Sequence, residues 1–441
     1  MSTSANVPPN IVFIVADDLG YADLGCYGGR PARFGAVSPQ IDKLAAAGML
    51  FTQGYSNSPV CSPTRFALMT ARYQYRLRGA AEEPINSKSR GSSTLGLPPE
   101  HPTLPSLLKG AGYRTALIGK WHLGYPPAFS PVASGYDEFF GPMSGGVDYF
   151  THKDSAGVHD LWAGETERPE DGYLTDLISQ RALAYVQRAS AQPFFLSLHY
   201  TAPHWPWETR DDADLAANLP GSLFHLSGGN IHTYRRMIHH MDEGIGQLVE
   251  ALRSAGQLDN TLIVFSSDNG GERFSDNWPL VGGKMDLTEG GIRVPYIAHW
   301  PATIAAGGVS EQHCLTMDWS ATLLHAAGVA ADADYPLDGV SLLPVLRDAG
   351  TVLPRPMHWR MNHRGQRARR EGDWKYLRVD GNDYLFNIAD DERERANRGG
   401  LEPQRLQDMR AAWEAWNASM PQIPGDATVS LGFSAKDMPQ R

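Results

Sequence analysis

Ile11-Val12-Phe13-Ile14-Val15-Ala16-Asp17-Asp18 is an apolar, mostly β-branched run that stops at two adjacent carboxylates. A run with no polar alternation suits a strand buried on both faces, as in a parallel sheet covered by helices. The same design recurs along the chain. Thr115-Ala116-Leu117-Ile118-Gly119 runs into Lys120-Trp121-His122, Pro193 to His199 runs toward Pro203-His204, and Leu262 to Ser267 ends in Asp268-Asn269. Helical patterns lie between these runs, most clearly from about Ile231 to Arg253. There Tyr234, Met237, Ile238, Met241, Ile245, Leu248, Val249 and Leu252 make one apolar stripe, and Gly256 supplies a stop. The alternation predicts an α/β fold with a large, mainly parallel central sheet flanked by helices on both faces.

Past Pro354 the texture changes. A basic run from Arg364 to Arg370 precedes the alternating Trp374 to Val379, a turn at Gly381-Asn382 and a second short run, Asp383 to Phe386. This reads as an antiparallel hairpin, followed by a charged, helix-prone stretch from Pro403 to Trp416. Residues 1–355 are therefore expected to form a catalytic α/β domain, and residues 356–441 a small α+β subdomain with an antiparallel sheet and a helix.

Composition narrows the function. With 42% hydrophobic and 20% charged residues, and no apolar run near the roughly 20 residues that cross a bilayer, neither disorder nor a membrane span is expected. A net charge of −10 disfavours a general nucleic-acid binder, so an anionic substrate must be held by local cations. Cys26, Cys61 and Cys314 form neither a disulfide framework nor a zinc spacing. The start, MSTSANVPPN, lacks a charged end followed by an apolar core, which reads as a cytoplasmic chain, or a periplasmic or secreted one whose leader has been removed.

In open α/β sheets ligands bind beyond the carboxyl ends of the strands. Asp17, Asp18, Asp268 and Asn269 put only oxygen donors and an amide there, a set that selects a hard divalent ion over zinc. Arg65, Lys120, His122, His204 and Lys284 fall at strand ends or in Gly/Pro-rich loops. Lysine and arginine can balance an oxyanion, and histidine can move protons near neutral pH. Cys61-Ser62-Pro63-Thr64-Arg65 adds a thiol beside a proline and a fixed cation, which alone fits a buried structural cysteine. His239, His240 and Asp242 on the long helix read as structural, since no third ligand accompanies them. Asp148, Tyr149, His152, Trp205, Trp207 and Trp278 read equally as packing or as substrate contacts, with Trp205 and Trp207 forming a wall for an aromatic leaving group.

NIVFIVADDLG, CSPTR, GKWHLG, TAPHWP, FSSDNGG and GGK followed by EGGIRVP occur in one order across residues 10 to 300, with GDWKYL and DYLFNI beyond. This set resembles the type I formylglycine-dependent sulfatases of the alkaline-phosphatase superfamily. The resemblance implies hydrolysis of aryl or small alkyl sulfate monoesters. It implies that a dedicated maturation enzyme reads Cys61, Pro63 and Arg65 as C-x-P-x-R and oxidises Cys61 to formylglycine. It implies one Ca²⁺, with Mg²⁺ or Mn²⁺ as alternatives, held by Asp17, Asp18, Asp268, Asn269 and the residue-61 oxygen. Two-zinc phosphatases of related architecture carry histidine where this chain has Asn269, which favours a single ion. Arg65, Lys120 and His122 match groups that hold the aldehyde hydrate, and His204 and Lys284 match groups at the sulfate and the leaving oxygen. One hydroxyl of the hydrate would attack sulfur, and the second, deprotonated by His122, would expel sulfate and restore the aldehyde. Thr64 replaces a frequent serine or alanine at a variable position, where little effect is expected. The lack of a leader departs further from many relatives and points to small imported esters.

Two other functions fit the same residues: a formylglycine-dependent phosphonate monoester hydrolase or phosphodiesterase, and a non-catalytic anion- or carbohydrate-binding relative. Oligomeric state is left open, a homo-oligomer included.

Overall fold

A computed structural model describes residues 7–28, 35–78, 83–217, 229–425 and 427. Most of the N-terminal decapeptide and the last Gly- and Ser-containing stretch lie outside the described residues.

The opening run forms the strand Asn10–Ala16 at the middle of a ten-stranded sheet. It pairs in parallel with Phe194–His199 on one side and Thr261–Ser267 on the other, so that Val12 faces Leu196 and Ile263. Arg114–Gly119 and Glu138–Gly141 extend the parallel core. Tyr296–His299 and the short edge strands Trp162–Ala163 and Thr166–Glu167 join antiparallel, while Met49–Phe51 and Gly308–Ser310 complete the other edge.

The central strand has two buried faces because alternate side chains enter separate cores. Val12, Ile14 and Ala16 pack with Ile238, Met241 and Ile245 of the helix Ile231–Ser254. Ile11, Phe13 and Val15 pack with Leu68 of the helix Cys61–Thr70 and with Trp319 and Leu323 of the helix Thr316–Ala326. The helix Ile231–Ser254 begins where the Asn230 side chain accepts the His232 and Thr233 amides, and it ends two residues before Gly256, whose φ is +67°. Its predicted stripe is buried except for half-buried Val249. Asp242 accepts the amides of Gln40 and Ile41 at the start of the helix Pro39–Ala47, which accounts for its burial without a ligand role.

Four antiparallel strands, Met357–Met361, Gln366–Glu371, Trp374–Val379 and Asn382–Asn387, make a second sheet, backed by the helix Pro403–Ala418. The hairpin turn is Asp380-Gly381, one residue before the expected pair, because both residues take positive φ as a two-residue hairpin loop requires. This sheet shares a core with the segment around the CSPTR motif: Met357 and Trp359 pack with Tyr55, Val60 and Ala67, and the Trp359 indole donates to the Ser56 carbonyl. Lys375 binds Glu289 and Glu394 at 2.9 Å each, all three buried. No helix among the described residues is long and apolar enough to cross a membrane.

Candidate active site

The four strand ends converge, that of Phe194–His199 bringing His199 against Arg65. Asp17 and Asp18 follow the central strand, Asp268 and Asn269 leave Thr261–Ser267, and Lys120 and His122 leave Arg114–Gly119. All six side chains are buried. The Arg114–Gly119 strand can turn there only through glycine: Gly119 has φ +115°, and a Cβ would stand 1.8 Å from the His199 carbonyl oxygen. Asp18 and His122 themselves take left-handed φ of 63° and 59°, a cost that clusters where side chains must be aimed.

Cys61 and Arg65 are not on a loop, as the proline had suggested. They begin the helix Cys61–Thr70, with Cys61 as its first residue, so the thiol sits at the positive end of the helix dipole. One turn on, Arg65 lies beneath it. Arg65 Nε and a terminal nitrogen reach Asp268 Oδ2 at 3.1 and 2.8 Å, and the other terminal nitrogen donates to the Lys120 carbonyl at 3.1 Å. His199, whose Nδ1 lies 3.3 Å from the Arg65 guanidinium, backs it from the end of its strand. Arg65 thus anchors a carboxylate as much as it offers a cation.

Lys120 Nζ binds Asp17 Oδ2 at 2.5 Å, Lys284 Nζ binds Asp18 Oδ2 at 2.7 Å, and Asn269 Nδ2 donates to Asp18 Oδ1 at 2.7 Å. Ligand atoms of Asp17, Asp18, Cys61 and His204 all lie within 4.8 Å of one another. Asp17 Oδ1 and Asn269 Oδ1 are buried with no hydrogen-bond partner. Buried acceptors left this way are costly unless something positive fills the gap. Burial, with Asp268 next to it, pushes the Asp17 carboxyl up to about 7 despite Lys120 and Arg65. Burial also works to raise Asp268, but Arg65 and Lys120 outweigh it and hold that carboxyl below its ordinary value. Orphaned oxygens and an unbalanced carboxylate fit a hard divalent cation.

Hydrogen bonds assign the two histidine tautomers. His122 Nε2 meets the Ile85 carbonyl at 2.6 Å, so Nε2 carries the proton and Nδ1, buried and unpaired, is the basic atom. His204 Nδ1 meets the Trp205 carbonyl at 2.6 Å, leaving Nε2 facing Asp18 Oδ2 at 3.5 Å. Burial pushes both imidazoles well below their ordinary value, reinforced by Lys120 at His122 and by Lys284 and Lys120 at His204. Burial pushes the Cys61 thiol up, and Asp18 holds Lys284 well above its ordinary value against burial. The wall over the histidines is backbone: a Cβ on Gly145 would stand 2.4 Å from His122 Cε1.

The candidate contact residues divide. Asp148 accepts the Phe150 and Thr151 amides, and His152 Nε2 meets the Gly172 carbonyl, so both shape their loop. Trp207 packs on Phe274, and Trp278 is 61% exposed with Arg393 over its ring. Trp205 stands with its ring centroid 4.3 Å from that of His204. Tyr149 stacks on Tyr173 and donates its hydroxyl to the His204 carbonyl at 3.0 Å. Replacing Tyr149 with phenylalanine is expected to cost about 1 kcal/mol in a urea melt and to lower kcat about tenfold by loosening His204. An unchanged kcat would reduce Tyr149 to packing. His199 and Glu272, which also lie here, carry no sequence signal of their own: one ends a strand whose motif lies beyond it, the other sits in a loop.

Comparison with known proteins agrees with this geometry. Residues 9–329 match the family described as Sulfatase. The chain is 34% identical to human N-acetylgalactosamine-6-sulfatase over 381 residues, covering 81% of this chain and 69% of that protein. It is 31% identical to mouse steryl-sulfatase over 424 residues, covering 77% and 65%. Among solved structures, that of Ps i-CgsB in complex with k-i-k-neocarrahexaose aligns with a TM-score of 0.84 at 33% identity, covering 95% of this chain and 94% of the other. The PsFucS1 sulfatase from Pseudoalteromonas sp. aligns at 0.77 with 26% identity, covering 95% and 91%. Fold, site and relatives agree, and the chain belongs to the sulfatases, hydrolases of sulfuric esters built on the alkaline-phosphatase fold.

Proposed function

We propose that this sulfatase cleaves alkyl sulfate monoesters, sugar sulfates foremost, using Cys61 converted to formylglycine. The observation that carries this reading is the position of Cys61: its sulfur, standing in for the formylglycine oxygens, lies within 4.8 Å of ligand atoms of Asp17, Asp18 and His204. Formylglycine as its hydrate supplies one hydroxyl for attack on sulfur and a second for release of sulfate. A hard divalent cation, Ca²⁺ by the oxygen donor set, supplies positive charge that acidifies the attacking hydroxyl and neutralises the ester oxygens. Asp17, Asp18, Asp268 and Asn269 would hold it.

The chain's own groups do the rest. Arg65 fixes Asp268 and lends charge beneath residue 61. Lys120 and Lys284, paired with Asp17 and Asp18 here, are the cations available to sulfate oxygens once those carboxylates are otherwise engaged. His204 Nε2 would protonate the leaving oxygen once bound sulfate charge counters the burial and the two lysines that lower the imidazole. His122 Nδ1 is placed to accept a proton from the residue-61 side. Residues 1–355 form the catalytic unit in this reading, and within 356–441 the sheet from Met357 to Asn387 buttresses the Cys61 segment. Maturation needs an enzyme that reads Cys61, Pro63 and Arg65 in the unfolded chain, since the folded helix buries all three.

The sugar preference rests on the relative named N-acetylgalactosamine-6-sulfatase and on the neighbour crystallised with k-i-k-neocarrahexaose. Mass spectrometry of the peptide containing Cys61 tests the nucleophile: replacement of sulfur by oxygen with loss of two hydrogens is expected. An unmodified thiol in fully active protein would overturn it. Higher catalytic efficiency on a phenyl phosphonate than on 4-nitrophenyl sulfate would move the assignment to a phosphonate hydrolase.

A further inference from the structure

Glu272 lies in the loop between Asn269 and Lys284 and is absent from every motif. Its side chain is 10% exposed. The Trp205 indole donates to Glu272 Oε2 at 3.1 Å, and Lys284 Nζ stands 3.8 Å from that same oxygen. Oε1 is buried and has no hydrogen-bond partner. A desolvated carboxylate oxygen without a donor is costly, so the fold retains this one at a loss unless a ligand supplies the donor.

The sulfate group cannot be that ligand. Its oxygens only accept, and a carboxylate repels them. The donor must come from the other side of the ester. Trp205 fixes which side that is: it holds Glu272 through its indole while its ring lies against His204, the group assigned above to the leaving oxygen. We propose that Glu272 is a specificity-determining residue whose Oε1 accepts a hydrogen bond from a hydroxyl neighbouring the sulfate ester, so that the site favours monosulfates of vicinal diols over unsubstituted esters. This rests on the sulfatase reading above and names the feature of the alcohol that it selects.

The test compares trans-2-hydroxycyclohexyl sulfate with cyclohexyl sulfate, which differ in one hydroxyl. Dissociation constants are measured by calorimetry in a Cys61→Ala background, which binds the esters without cleaving them, on otherwise unsubstituted protein and with Glu272→Ala or Glu272→Gln added. The enzyme is expected to bind the hydroxylated ester at least about tenfold more tightly, as one hydrogen bond to a charged group allows. Glu272→Ala should bring the ratio to within about threefold of unity, and Glu272→Gln, which keeps the shape and an acceptor oxygen, should fall between. Absence of a preference in the protein that keeps Glu272, including failure to bind either ester, would overturn the proposal. So would a preference that survives in Glu272→Ala, since an anchor for Lys284 or Trp205 would change both esters alike. Turnover of 4-nitrophenyl sulfate is followed separately on the matured enzyme. Its absence would count against the sulfatase mechanism and leave the binding ratio to decide Glu272.

Discussion

Cys61→Ala is expected to lower turnover of 4-nitrophenyl sulfate by at least about 10⁴-fold, as loss of a nucleophile does in other covalent hydrolases. The fold should survive. Cys61 is 1% exposed at the first residue of its helix and forms no disulfide, so truncation to alanine removes one buried atom and costs about 1 kcal/mol. Cys61→Ser separates the aldehyde from a simple hydroxyl. A serine oxygen can attack sulfur and release the alcohol, with the proton passing to the leaving oxygen. It then has no second hydroxyl with which to expel sulfate. A single burst, followed by protein carrying the mass of one added SO₃ group, is the expected signature. Sustained turnover by Cys61→Ala would remove residue 61 from the chemistry and leave the sulfatase assignment needing another nucleophile.

The strand ends were legible because a parallel sheet leaves a simple trace: an apolar run buried on both faces, then an abrupt stop. Asn10–Ala16, Arg114–Gly119, Phe194–His199 and Thr261–Ser267 all follow it, and their ends meet. Arg65 was legible by type but not by setting. Pro63 suggested a loop, whereas proline is tolerated in the first turn of a helix, where its missing amide goes unneeded. Asp148 and His152 show the opposite limit, since a polar residue in a glycine-rich segment reads alike whether it binds a ligand or closes a turn. Glu272 was invisible for a physical reason. Its significance lies in an unfilled hydrogen bond, fixed by the tertiary approach of Trp205 and Lys284.

Removal of the divalent cation should expose the imbalance at Asp17, with a pH dependence whose sign is set. In the metal-free protein the Asp17 carboxyl is raised to about 7 by burial and Asp268, above the 3.8 of a free aspartate. The folded state therefore holds a proton that the unfolded chain has released. Stability from this group is complete below about 4 and is lost as pH rises to about 7, by roughly 1.4 kcal/mol per pH unit. Asp23, buried and also raised to about 7, adds a slope of the same sign, so a melt of metal-free protein alone cannot isolate Asp17. The difference between melts with and without cation can. Cation binding requires ionised Asp17, so below pH 7 it must expel a proton, and affinity should weaken about tenfold per pH unit. At saturating Ca²⁺ near pH 8, about a thousandfold above Kd, the gain is about 4 kcal/mol. At fixed Ca²⁺ the rise in Tm should shrink steadily from pH 8 to pH 5. Asp17→Asn should abolish most of the rise at every pH and flatten its dependence, because the amide keeps the shape and removes both the charge and the titrating proton. A Ca²⁺-induced rise independent of pH, or one that persists in Asp17→Asn, would place the cation elsewhere and leave the orphaned Asp17 and Asn269 oxygens without their expected occupant.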